Sequence, residues 1–318
     1  MTMGFLSGIY QGIIQARNFL YDRGVIKAYL APCLVISVGN IETGGTGKTP
    51  FTLELARALE KKGYNTAIVT RGYKGRIRGV HLVSPSDSPV DVGDEAVMMA
   101  RSETIPVIKS PDRIKGALYA SRQLGCDICL LDDGFQHRGI FRDLDIVLVS
   151  SQLCNKKMLP AGNLREPEGA LKRADIIVHT KGDTSGEISA RMVPSILKTR
   201  GSGAQPFSCL KGVSVLAFCA VARPGAFFDS LREMGAEVET MTFSDQHAYT
   251  PRDIWRIKKR AEEKAWIITT EKDMVKIRPE WTDNRWLCLG VRMEIQGIEK
   301  IIQKIEAIAH DRRISRQG

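Results

Sequence analysis

Lys48 and Thr49 end a glycine-rich run, residues 37–49 reading SVGNIETGGTGKT, whose types and spacing suit an anion with several oxygens. Gly44, Gly45 and Gly47 let successive backbone N–H groups turn toward one centre, which residues with side chains would obstruct. Thr46 completes that cradle. Lys48 would reach the β- and γ-phosphates of a nucleotide, and the Thr49 hydroxyl would sit on Mg²⁺. The helix expected to follow adds its positive N-terminal end. One position departs from the G-x-x-x-x-G-K-[ST] pattern, since Glu42 stands where its first glycine belongs. The GGTGKT half is intact behind an apolar run at 33–38, which favours phosphate binding over a plain strand–helix turn.

A second cluster follows the apolar stretch 128–131, where Asp132 and Asp133 lead into Gly134-Phe135-Gln136-His137-Arg138. Paired carboxylates at a strand end hold a magnesium shell in nucleotide sites. Without a cation they would repel each other. His137 reads either as a structural, hydrogen-bonded histidine or as a site residue. Arg71 opens a basic turn, RGYKGR, that could meet phosphate or be solvated. Asp94, in Val-Gly-Asp-Glu, reads both as the N-cap of a helix over 96–101 and as a functional carboxylate. Pro111 is expected to open another helix, placing Arg113 near the strand ends. Residues 159–167, LPAGNLREP, lack apolar periodicity, and a long loop with a rigid proline at each end is usually functional. Residues 180–183, TKGD, match the pattern by which GTP-binding switches hold guanine, so a membrane-associated P-loop GTPase-type switch is the alternative reading. The absence of a switch-type D-x-x-G, with Gln136 three residues after Asp133, counts against it.

These residues need a scaffold that gathers strand ends. Short strands are expected at 66–70, 106–109, 127–131, 145–149 and 175–179, alternating with helical stretches such as 48–59. That alternation argues for a parallel sheet covered on both faces, with ligands at the carboxyl ends of its strands. The strand rhythm blurs over 184–206, and 200–206 looks like a linker. A second α/β unit follows, with strands at 213–221, 237–243, 266–270 and 286–291 and helices at 225–234, 254–264 and 298–309. The fold class is therefore α/β, with a P-loop NTPase-like three-layer α/β/α N-terminal lobe over 1–205 and a second, smaller α/β lobe over 206–318.

Lys plus Arg exceed Asp plus Glu, 46 to 36, for a net charge of +10 over 318 residues. An anionic partner is favoured. Nucleic acid is not expected, because the aromatic residues are not interleaved with Lys and Arg as stacking platforms require. The seven cysteines lack a disulfide framework, and Cys126 and Cys129 read as buried small hydrophobes. No stretch reaches the roughly 18 apolar residues of a membrane span. Residues 3–21 nevertheless place Phe5, Leu6, Ile9, Tyr10, Ile13, Ile14, Arg17 and Leu20 at helical spacing. Such a helix either packs on its own domain or lies in a membrane interface with basic residues beside its apolar face.

The order SVGN-x-x-x-GGTGKT, RGYKG, GDE, PDR, LDDGFQHR, LPAGNLREP and TTEKD-x-VK closely resembles the tetraacyldisaccharide 4′-kinase family of lipid A synthesis. The resemblance runs from the N-terminal helix past Lys276. It implies transfer of the ATP γ-phosphate to the 4′-hydroxyl of a lipid disaccharide 1-phosphate at the cytosolic face of the bacterial inner membrane. Two α/β/α lobes joined by a hinge are implied, with nucleotide on the first. By resemblance, Lys48 and Thr49 take triphosphate and Mg²⁺, Asp132 or Asp133 makes the second metal contact, and Asp94 takes the sugar hydroxyl's proton. Arg71, Arg113, Gln136, His137, Arg165 and Glu166 match family positions around phosphates and acceptor. The family's D-H pattern reads Asp245-Gln246-His247 here, so glutamine replaces the histidine implied to support the base. Either His247 takes over that role or Asp94 works with weaker help. Oligomeric state is not legible.

Overall fold

The computed structural model describes residues 2–150, 157–180, 188–199 and 203–317. An N-terminal helix, α1 (Thr2–Asp22), precedes β1 (Leu34–Gly39), the glycine loop and α2 (Lys48–Lys61). Next come β2 (Thr66–Thr70), β3 (His81–Leu82), α3 (Pro89–Val92), α4 (Asp94–Ser102), β4 (Val107–Lys109), α5 (Arg113–Gln123), β5 (Ile128–Asp132), β6 (Leu144–Val149) and β7 (Ile176–His179). The remainder holds β8 (Ser189–Thr199), β9 (Ala204–Gln205), β10 (Ser214–Cys219), α6 (Gly225–Glu233), β11 (Glu237–Thr242), α7 (Pro251–Arg260), β12 (Trp266–Thr270), α8 (Glu271–Met274), β13 (Trp286–Gln296) and α9 (Ile298–Gln317).

The strands form one 13-stranded sheet in the order β11-β10-β12-β13-β8-β7-β6-β1-β5-β2-β4-β3, with β9 on β8. Every residue of β1, β2, β5 and β6 is buried. These central strands run parallel, as strands covered on both faces should. Their register sets Val38 beside Asp132, bringing the glycine loop and the paired aspartates to the same sheet edge. The long β8 was not expected from sequence. Only three of its eleven residues are buried, and it crosses Pro194, which pairs with Val291 at a bulge in the antiparallel β8–β13 ladder. A proline is tolerated there because the ladder is already irregular.

Two expectations about helix starts are corrected. Asp94 is the first residue of α4, and the N-cap is Gly93 at φ 98°. A residue with a Cβ at that position would also press on the backbone of Gly72 and Tyr73. Helix α5 is opened by Asp112, whose side chain accepts from the N–H groups of Ile114 and Lys115, so Pro111 lies outside it.

The first half is built around Phe51, Leu55, Leu130 and Ile146, and the second around Phe218, Ile257, Ile267 and Trp286. Ile301 and Ile305 of α9 return to the first of these cores. Arg312 of α9 anchors to Asp143 at 2.9 Å and to the Ala31 and Cys33 carbonyls at 2.6 Å. Cys126 and Cys129 are buried within an apolar cluster, as small hydrophobes would be.

Candidate active site

The glycine loop leaves β1 and enters α2 through Gly47, which adopts φ 85°. Gly44 is also left-handed, at φ 107°. Thr46 is buried, and its hydroxyl accepts from the Asn40 side chain at 2.9 Å, closing the loop on itself. From the first turn of α2, Lys48 Nζ lies 3.4 Å from Asp133 Oδ1. The Thr49 hydroxyl donates to Asp132 Oδ2 at 3.2 Å, and Thr52 faces Asp132 Oδ1 at 3.4 Å. The two clusters singled out in the sequence therefore form one corner.

The aspartates differ because the chain turns between them. Asp132 ends β5 and is buried, whereas Asp133 adopts φ 56° and points out toward cations. Burial pushes the Asp132 carboxyl up to about 7, with Glu95 and Asp133 adding repulsion. Burial also opposes ionisation of Asp133, but Lys48 and Arg165 outweigh it and hold that carboxyl down at about 2. Arg165 Nη1 donates to Asp133 Oδ2 at 2.8 Å. The turn can approach β1 this closely because of Gly39 and Gly134. A Cβ on Gly39 would fall 2.5 Å from Phe135 Cβ, and one on Gly134 would fall 2.7 Å from Leu131 Cβ. Gln136 donates to the Asn40 carbonyl at 2.8 Å, tying turn to loop.

Arg113 is buried behind the corner, donating to the Ser110 carbonyl at 2.6 Å and the Asp132 carbonyl at 3.3 Å. His137 lies alongside. Burial and the charge of Arg113 push its imidazole down to about 4, so it is neutral near pH 7. Arg71 is exposed beyond them, close enough for its charge to act on Arg113 and His137. Past it, a cavity of about 560 Å³ is lined by Lys74, Arg76, Arg78 and Pro111 among others.

Asp94 belongs to a neighbouring cluster. Its Oδ1 accepts from the Glu95 N–H at 3.0 Å, and burial raises its carboxyl above the usual aspartate range. Lys272 opposes that rise and Glu95 adds to it. Lys272 itself comes from α8 and meets Glu95 Oε1 at 2.7 Å across the two halves. Burial lowers the Lys272 ammonium, but Glu95 and Asp94 outweigh burial and hold it above the usual lysine range. Neither Glu95 nor Lys272 was singled out in the sequence, although both stand in the GDE and TTEKD motifs.

Two further predicted site residues have partners outside this corner. The Glu166 carboxylate is fully buried against Arg173, accepts from Asn18 Nδ2 at 3.0 Å and lies 3.7 Å from Arg17. It fastens α1 to the body, whereas the resemblance implies a position around the phosphates and the acceptor. His247 pairs with Asp253 at 3.0 Å and stacks on Phe243, both in the second half. The neighbouring Gln246 adopts φ 57°. Its N–H donates to the Ala220 carbonyl at 3.0 Å, and its own carbonyl accepts from Lys74 at 3.4 Å. Histidine enters the left-handed region more readily than glutamine. A Gln246→His variant is therefore expected to keep its backbone and to raise turnover severalfold in initial-rate assays.

Helix α1 supports the loop that carries Arg165. Ser7 donates to the Met158 carbonyl and accepts from the Ala161 N–H, both at 3.0 Å, and Tyr10 donates to the Arg165 carbonyl at 3.1 Å. Its other face leaves Phe5 and Ile13 72% and 62% exposed, with Leu6 and Ile9 between them. No helix among the described residues is long and apolar enough to cross a membrane.

The family model for tetraacyldisaccharide-1-P 4′-kinase matches residues 1–309. The chain belongs to that family. A tetraacyldisaccharide 4′-kinase from Syntrophus aciditrophicus is 38% identical over 316 residues, covering 88% of this chain and 84% of that one. The one from Aquifex aeolicus is 37% identical over 289 residues, covering 86% and 88%. The crystal structure of the "apo" form of LpxK from Aquifex aeolicus in complex with ATP superposes with a TM-score of 0.79 at 34% identity. That match covers 95% of this chain and 97% of the other, which supports the α/β fold expected from sequence. The GTPase-type alternative falls with these matches, all of which are to kinases. Most of its TKGD sequence, residues 181–183, lies outside the described residues.

Proposed function

We propose that this chain is an ATP-dependent kinase that transfers the γ-phosphate to the 4′-hydroxyl of a tetraacyldisaccharide 1-phosphate, giving lipid IVA. The observation that carries this reading is the convergence of Lys48, Thr49, Asp132 and Asp133 at one glycine loop in a member of this family. Phosphoryl transfer asks a protein mainly to align two oxygens and to offset charge on the moving group. Lys48, the helix N-terminus and Arg165 supply that charge on one side, with Arg113 and Arg71 behind them.

The donor set also fits Mg²⁺. Among the described residues no group of three or more His, Cys, Asp or Glu is arranged to hold a metal. Magnesium, however, is usually bound by one or two carboxylates together with substrate phosphates and water. Thr49 and Asp132, with Asp133 beside them, would hold the ion, and Asp132 is a carboxylate that burial raises to about 7. When bound, the ion would offset negative charge on the phosphates.

In this reading Asp94 accepts the proton of the sugar hydroxyl, and the charge of Lys272 opposes the rise that burial imposes on its carboxyl. Lys74, Arg76 and Arg78 give the adjoining cavity a sign suited to a phosphorylated acceptor. Residues 1–205 form the nucleotide half and 206–318 the smaller half, with α9 reaching back onto the first core. Helix α1 lies at the cytosolic face of the inner membrane, its exposed apolar face in the interface and the chain's positive charge toward anionic lipid. An Ile9→Asn/Ile13→Asn double variant should lose at least about tenfold in sedimentation with anionic vesicles, since burying each isoleucine contributes about 1.5–3 kcal/mol.

The deciding experiment incubates the protein with labelled ATP, Mg²⁺ and an acylated disaccharide 1-phosphate. A doubly phosphorylated lipid is expected, and its absence with active protein would overturn the reading.

A further inference from the structure

Glu42, the residue that breaks the glycine-loop pattern, is fully buried beneath that loop. Its Oε1 accepts from the Ser150 N–H at 3.1 Å and the Ser150 hydroxyl at 2.7 Å. Its Oε2 has no hydrogen-bond donor among the described residues. What Oε2 faces is Arg223 Nη2, at 3.9 Å. Arg223 comes from the other half of the chain, on the connection between β10 and α6, and its side chain is 39% exposed. The base of that connection is held, because the Ala220 N–H donates to Asp273 Oδ2 at 2.9 Å and the Ala220 carbonyl accepts from Gln246. The guanidinium stands at the mouth of the loop, with Nη2 and Nε 3.8 Å and 3.9 Å from where a Cβ on Gly44 would lie. Gly44 has no side chain, so nothing of that residue stands between Arg223 and an anion in the cradle.

We infer that Arg223 is a nucleotide-contacting residue supplied by the second half of the chain, turning its free N–H groups onto the outermost phosphate of ATP while Glu42 holds it over the loop. Glu42 is then a positioning residue. The inference rests on the kinase reading above and adds to it the identity of the group through which the second half meets the nucleotide. The chemistry follows from the guanidinium fork. One edge stays near a buried carboxylate that lacks a donor, and the remaining N–H groups suit the paired oxygens of a phosphoryl group. A cation brought to that group from another part of a protein accelerates phosphoryl transfer by about 10³–10⁵-fold in other systems. The trigger is the terminal phosphate, so ADP should not engage Arg223.

The test compares wild type, Arg223→Ala, Arg223→Lys, Glu42→Gln and the Glu42→Gln/Arg223→Ala pair, using turnover with Mg-ATP and the binding of ADP and of a non-hydrolysable ATP analogue. Arg223→Ala should lower kcat by about 100-fold or more. It should also weaken the ATP analogue while leaving ADP affinity within about twofold of wild type. Arg223→Lys should recover only a minor part of the rate, because an ammonium lacks the fork. Glu42→Gln should lower kcat severalfold in the wild-type background and have no further effect once Arg223 is alanine. Arg223→Ala with kcat within twofold of wild type would overturn the inference, as would equal losses for ADP and the ATP analogue. Independent, additive effects of the two substitutions would overturn the role of Glu42. Should the alanine variant not fold, Arg223→Lys gives the same readings. Failure of wild type to use ATP would instead count against the kinase reading itself, before any variant is compared.

Discussion

Lys48→Ala is expected to reduce kcat by at least about 10²–10³-fold while leaving the melting temperature close to that of wild type. The rate loss follows from position. Lys48 is the cation on the first turn of α2, its ammonium lies 3.4 Å from Asp133, and its side chain is only 13% exposed. With a triphosphate in the loop it would face the phosphates, and removing one preorganised donor from developing charge costs about 10²–10³-fold in other enzymes. The small effect on stability follows from the rest of the corner. Arg165 keeps its 2.8 Å contact with Asp133, and α2 is held by Phe51, Leu55 and Leu59, all fully buried. Single-turnover rates together with a thermal melt check both halves of the expectation. A rate within tenfold of wild type would remove Lys48 from the charge-bearing group.

How much of this corner is legible in the amino-acid sequence depends on what each residue's role requires. Lys48, Thr49 and the Asp132–Asp133 pair are legible because their chemistry is carried by local spacing at the ends of buried strands, and parallel pairing of β1 with β5 then brings them together. Which aspartate faces the cations is not legible, since it depends on the left-handed turn at Asp133. The burial of Glu166 is not legible for a related reason. Its neighbour Arg165 does reach the site, but the chain reverses the next side chain toward Arg173 and α1, a partner 148 residues away in the case of Asn18. Strand β8 was missed because its burial does not alternate and because it contains a proline. Strand β13 was foreshortened because its outer half, with Arg292 and Glu294, is polar and is held by pairing to β8.

The return of α9 shows the same limit at larger scale. Its apolar spacing announces a helix, and nothing in that spacing says which core receives Ile301 and Ile305. One sheet runs through both halves, and α9 closes over the first of them. Movement between the halves would therefore have to be accommodated at the β8–β13 ladder, whose register already shifts at Gly290 and Val291. Polar contacts bridge the halves near the site: Lys272 with Glu95, Lys74 with the Gln246 carbonyl, and Arg223 with Glu42. Polar contacts of this kind exchange partners with a charged substrate far more readily than packed apolar surfaces do.

Asp94→Asn should lower kcat by about 10²–10⁴-fold with little change in KM for ATP, the range for loss of a positioned proton acceptor. The substitution keeps the shape of the first residue of α4, and the asparagine oxygen can still accept from the Glu95 N–H, so the helix start should survive. The pH profile gives the sharper check. A proton acceptor must be ionised, so the wild-type rate should fall as pH falls through the Asp94 value. Burial places that value above the aspartate range near 3.9. The groups acting on it are Lys272 and Lys276, which lower it, and Glu95, which raises it. Lys272→Gln removes the larger of the two opposing charges and also frees Glu95 from its 2.7 Å partner, and both changes favour the protonated form of Asp94. The acid limb of kcat should therefore move to higher pH in Lys272→Gln, with the rate recovering toward wild type as pH rises. An acid limb that stays in place would mean that Lys272 acts on the phosphates or on the fold and not through Asp94. A limb that persists unchanged in Asp94→Asn would assign the proton to another group.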